Sequence, residues 1–142
     1  MIVVDANLLI YAYDTAAPRH EKSRVWLEEG FSGLELIGLP WQSITAFLRV
    51  MTNPKLHGRG YSVHEAAEII ESWIARPNVR ILAPGEDHWR YFRKMIVDGQ
   101  AMGPLISDAE LAALTVEYGG VLHTTDRDFA RFPGLRWTNP LA

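Results

Sequence analysis

The chain has 142 residues, 48% of them hydrophobic and 22% charged, enough to bury one substantial core, so a single domain over residues 1–142 is expected. It contains no cysteine, which excludes a disulfide framework, a thiolate zinc site and a cysteine nucleophile. The net charge of −3 works against phosphate binding unless a basic patch, a basic partner or a metal compensates.

No apolar run approaches the ~20 residues of a membrane span, and no secretory leader pattern opens the chain. No membrane partner is therefore expected, and the location expected is the cytoplasm.

In chain order, Ile2-Val3-Val4 is an apolar run suited to a buried strand, which ends on Asp5. A helix is expected around Arg19–Glu29, with Ala17, Val25 and Trp26 facing inward and Gly30 as its stop. Leu34–Leu39 reads as a second strand, and Pro40 suits the first turn of the next helix. That helix carries Ile44, Phe47, Leu48 and Met51 at three- and four-residue spacings and ends before Asn53-Pro54. Ser62-Val63-His64-Glu65 is a capping-box pattern opening a helix to about Ala75.

Val79–Leu82 is a third strand and Glu86–Val97 a further helix. After a loop from Gly99 to Pro104, Ser107-Asp108-Ala109-Glu110 repeats the capping-box pattern, and Gly119-Gly120 stops the helix it opens. Val121–Thr124 is a fourth strand, Arg127–Arg131 a helical turn and Leu135–Trp137 a last strand. Strands that alternate with helices predict an α/β fold with a mostly parallel central sheet flanked by helices.

In such a sheet, ligands bind outside the carboxyl ends of the strands. Asp5 ends the first strand, Asp126 follows the fourth, and Asp108 lies in the first turn of a helix. Each has an ordinary structural explanation: a helix-dipole acid at Asp108, an N-cap at Asp126, a turn cap at Asp5 working through Asn7. Gathered together they need another. Two carboxylates ~5 Å apart repel by roughly 3 kcal/mol at an effective dielectric of ~20. Three converging acids call for a cation, and oxygen-only donors favour magnesium or manganese over zinc.

The segments MIVVDANLLIYA, LPWQSITAFLRVMTNP, LISDAELAALTVEYGGVLHTTDRDF and FPGLRWTNPL together resemble the PIN-domain ribonucleases, in particular the VapC toxins of bacterial toxin–antitoxin pairs. The resemblance implies a PIN-like α/β/α sandwich. It makes Asp5, Asp108 and Asp126 the catalytic, metal-binding acids, with Asn7 and Thr124 as supporting residues. Asp128 is the second acid of T-x-D-x-D-F, and its alternative role is a cap or a partner for a nearby arginine; Glu110 is assigned to the capping box. The sequence departs from the family where Ala46-Phe47-Leu48-Arg49 stands in place of acid-x-x-Arg, which puts a second metal in doubt. Asp14 is within possible reach of the site's edge.

The implied reaction is hydrolysis of RNA by magnesium, or manganese in its place, with a cognate VapB-like antitoxin and a homodimer as expected partners. Arg49 and Arg127 are the first candidates for phosphate contacts, with Lys55, Arg59 and Arg131 behind them. Trp41, Trp73, Trp89 and Trp137 are candidates either for base stacking or for the core. The five histidines show no metal-ligand spacing. A catalytically weakened PIN domain that binds RNA or antitoxin without efficient cleavage is the alternative. An aspartyl-phosphate enzyme fits less well, because Asn7 stands where a second acid is wanted. No G-x-G-x-x-G follows the first strand, against a dinucleotide site.

Overall fold

The computed structural model describes residues 1–56 and 60–142. Its strands are β1 (Ile2–Val4), β2 (Ile37–Pro40), β3 (Val79–Leu82), β4 (Val121–His123) and β5 (Trp137–Thr138). The helices are α1 (Ala6–Tyr13), α2 (His20–Ser32), α3 (Trp41–Met51), α4 (Val63–Ile74), α5 (His88–Asp98) and α6 (Leu105–Glu117). A 3₁₀ turn covers Arg127–Arg131.

The strands form one sheet in the order β3-β2-β1-β4-β5, and every pairing is parallel. Side chains alternate between its two faces with the period of two that a pleated strand imposes. Val4, Ile37, Leu39 and Val79 join a core built with α1 to α4. Val3, Leu82 and Leu122 join a second core with Met95 of α5 and the alanine-rich face of α6. The sheet is thus sandwiched between helical layers. Gly38 of β2 is required by packing, since a Cβ there would lie 2.6 Å from Leu82 Cδ1.

The chain leaves β1 in one direction for β2 and β3, then crosses back to β4 and β5 on the other side. The gap between the carboxyl ends of β1 and β4 is therefore the topological switch point, where open parallel sheets bind ligands. The register Val4↔His123 brings the residues after both strands together at that gap.

Several sequence expectations need correction. Residues 6–13 form a helix that period reading left unassigned, because a run this apolar buries Leu8, Leu9 and Ala12 and shows no single stripe. The helix expected to stop at Gly30 runs to Ser32, with Gly33 as its C-cap. It buries Ser23, Leu27 and Phe31, while Val25 is exposed. The second strand starts at Ile37, and Leu34 is fully exposed. No helix among the described residues is long and apolar enough to cross a membrane.

Candidate active site

Asp5 is the N-cap residue of α1, but its side chain makes no capping hydrogen bond. It turns across the switch point instead, where Thr124 Oγ1 donates to Asp5 Oδ2 at 2.7 Å. Thr124 is fully buried, and its hydroxyl oxygen accepts from the Asp126 N–H at 3.0 Å. Asn7 Nδ2 donates to the same oxygen at 3.4 Å and to Thr125 Oγ1 at 3.0 Å. One hydroxyl, donating once and accepting twice, thus ties together the ends of β1 and β4.

Asp126 caps the 3₁₀ turn, accepting from the Asp128 N–H at 2.9 Å through Oδ1. Both ordinary capping and proximity to the other acids therefore hold for this residue. Asp108 arrives from the first turn of α6. Among the described residues, Asp108, Asp126 and Asp128 each offer one carboxylate oxygen, and those oxygens lie within 4.8 Å of one another. Asp5 stands outside this tight set and adjoins it through Thr124.

The electrostatics record the crowding. The Asp108 carboxyl is pushed up to about 6, first by burial and then by the charges of Asp126, Asp5 and Asp128; Arg131 opposes the rise. Burial also raises Asp5, against the Thr124 hydrogen bond and the Ala6 backbone N–H, and Asp126 adds to the rise. Both carboxyls resist ionisation as long as nothing positive lies between them. The donors are all hard oxygens, so the set can hold a divalent metal of the oxygen-seeking kind.

The other expected residues are distributed unevenly. Arg127 is exposed in the turn that starts at Asp126. Arg131 donates to the carbonyls of Gly99 and Gln100 at 3.2 and 3.4 Å, bracing the loop before α6. Arg49 lies in the last turn of α3, ~12 Å along the helix from the carboxyl edge at 1.5 Å per residue. It lines a shallow groove with Lys55. Asp14 is the C-cap of α1, a helix length from Asp5, and accepts from the Ala16 N–H; it does not reach the site. Arg59 lies outside the described residues.

Of the tryptophans, Trp73 is buried in the core at 1% exposure, whereas Trp41 and Trp89 are 51% and 63% exposed. The Ser107 capping box does not form: α6 begins at Leu105, with Pro104 at the N-cap, which leaves Glu110 without the assigned capping role. Sequence reading missed Thr125, whose side chain binds Asn7, and Gln42, whose Nε2 donates to the Ser107 carbonyl at 2.9 Å. No spacing signal links residues so far apart in the chain.

A family model for the PIN domain matches residues 2–135. The chain belongs to the PIN domain family. Among PIN relatives, it is 33% identical to Ribonuclease VapC33 of Mycobacterium tuberculosis over 99% of both chains. It is 38% identical to Ribonuclease VapC43 of the same organism, over 99% of this chain and 96% of that one. The PIN fold is also that of VapBC2 from Rickettsia felis, solved bound to a DNA fragment from its promoter. That match has a TM-score of 0.73 at 15% identity and covers 98% of each chain.

Proposed function

We propose that this chain is a metal-dependent endoribonuclease, the toxin of a type II toxin–antitoxin pair, acting as a single domain over residues 1–142. The observation that carries the proposal is the meeting of Asp108, Asp126 and Asp128 oxygens within 4.8 Å, beside an Asp5 whose charge also bears on Asp108. Such a set opposes folding when empty of positive charge and suits a cation held against a phosphate. The ribonuclease names of VapC33 and VapC43 support the reaction class.

Asp5, Asp108 and Asp126 are the catalytic metal-holding acids, with Asp128 adding an oxygen at their edge. Thr124 and Asn7 fix the orientation of the carboxylates, which sets how well they grip an ion. Magnesium is the ion, with manganese as its substitute. When bound, it offsets charge developing on the scissile phosphate and lowers the pKa of water. Arg127 contacts the phosphate beside the acids, and Arg49 one further along the strand.

The partners are RNA, a VapB-like antitoxin and a second copy of the chain, in the cytoplasm. Structures of similar fold solved as toxin–antitoxin complexes support the antitoxin. Trp89, Val97 and Met102, exposed on α5 and the loop after it, offer apolar surface for self-association. Sedimentation at micromolar concentration is expected to give a dimer; a monomer would remove that element.

The decisive test of the function is RNA cleavage by the purified chain. Chelator should abolish cleavage and magnesium or manganese restore it. Cleavage that persists in chelator would overturn the metal-dependent reading, and no cleavage with either ion would favour the binding-only alternative.

A further inference from the structure

The first turn of α3 touches the backbone at two points of the acidic site. Ser43 Oγ donates at 2.7 Å to the Val4 carbonyl, one residue before Asp5. Gln42 Nε2 donates at 2.9 Å to the Ser107 carbonyl, one residue before Asp108. Adjacent residues of a single helical turn thus grip the chain immediately upstream of two aspartates that come from opposite ends of the sequence.

The Gln42 contact is the less ordinary of the two. A carbonyl only accepts, so the amide NH₂ must face Ser107. That leaves Gln42 Oε1 buried with no hydrogen-bond partner among the described residues. A buried acceptor without a partner weakens a fold, and an apolar side chain of the same length would fill the space without that penalty. Packing alone does not account for a glutamine here. The acids meanwhile repel one another, and their repulsion pushes the start of α6 away from β1. A donor that ties Ser107 to α3 opposes that movement.

We propose that Gln42 is a positioning residue of the acidic site: together with Ser43 it locks the start of α6 to the end of β1, holding Asp108 at the spacing a divalent cation requires. The inference rests on the cation-dependent reading above and concerns how the carboxylates are kept in place.

Calorimetric titration with manganese alone, alongside melting of the cation-free protein, tests it in two variants. Gln42→Met keeps the bulk and removes both donor and acceptor. Gln42→Asn keeps the amide but falls one methylene short of Ser107. Both are expected to bind manganese about tenfold more weakly, in the range seen when groups that orient metal ligands are lost. Gln42→Met should melt no lower than wild type without the ion, since it also removes the unpaired oxygen. In RNA cleavage, kcat should fall while KM stays unchanged.

Wild-type manganese affinity in either variant would overturn the inference. So would a loss of affinity in Gln42→Met that is matched by a lower melting temperature while Gln42→Asn binds normally, because that is the signature of a packing role. Failure of the wild type itself to bind manganese would instead bring down the functional reading.

Discussion

Two helices of this protein open on the same sequence pattern and begin in different ways. At α4, Ser62 is the N-cap: the Glu65 N–H donates to Ser62 Oγ at 3.0 Å, and Glu65 Oε1 accepts from the Ser62 N–H at 3.0 Å. At α6, Ser107 and Glu110 sit at the same spacing, yet the helix has already started at Leu105. The first N–H groups there need no serine. Leu105 donates to the Met102 carbonyl at 3.1 Å and Ile106 to that of Gly103 at 3.0 Å. Gly103 makes the preceding turn possible with a φ of +56°, a conformation glycine adopts without strain, and Pro104 has the φ that a helix start needs. Asp108 lies in the first turn of this helix, and its carboxylate meets those of Asp126 and Asp128. One end is built for the helix, the other for the site.

The largest expected consequence falls on Asp108. Replacing it with asparagine keeps its size and removes one of the carboxylate charges of the acidic cluster. RNA cleavage is expected to fall by ~100-fold or more, the scale on which a directed electrostatic contact acts in catalysis. A variant that cleaves within a few-fold of wild type would detach the first turn of α6 from function.

The pH dependence of stability comes next. Asp108 has a folded pKa of about 6 against an ordinary 3.8, so between those values the folded chain binds more protons than the unfolded one. Stability of the cation-free protein is therefore greatest below the ordinary value, declines as pH rises through that window, and stays lowered above about 6. Burial of Asp5 acts in the same direction. Denaturant melts in chelator between pH 4 and pH 7 are expected to show this slope, flattened in Asp108→Asn. Equal slopes in the two proteins would show that Asp108 is not the group responsible.

The smallest effects are those of the two serines. Ser62→Ala removes a formed cap and should destabilise by about 1 kcal/mol, roughly 3–5 °C in melting temperature for a domain of this size. Ser107→Ala removes no cap and should stay within ~0.5 kcal/mol of wild type, its carbonyl still available to Gln42. Equal losses in the two variants, read by thermal melting, would erase the distinction between the helix ends.

The same contrast explains how far the sequence could be read. Helix positions were legible where a period repeats, as in Ile44, Phe47, Leu48 and Met51 of α3, and strands where a short apolar run stands between turn residues, as in Val79–Leu82. The first helix was not, because apolar residues on most of its sides erase the stripe that marks an amphipathic helix. Asp5, Asp108 and Asp126 stood out because an acid at the end of a buried strand, or at a helix start near one, is chemically conspicuous. Asp128 was equally visible, but a cap explains its position as well as a ligand does, and only the three-dimensional turn carries its carboxylate toward Asp108. Gln42 was illegible, since its role lies in a backbone carbonyl of a distant helix.

The central claim is that the acids at the switch point are arranged for a cation and not for stability. Melting of wild type and Asp108→Asn near neutral pH, in chelator and in saturating manganese, tests this most directly. In chelator the variant should melt higher, because it lacks a charge that its neighbours repel. Manganese should reverse the order, since an ion bound by the folded state alone stabilises the chain that holds it more tightly. Wild type melting below Asp108→Asn in both conditions, or manganese raising both by the same amount, would contradict the account.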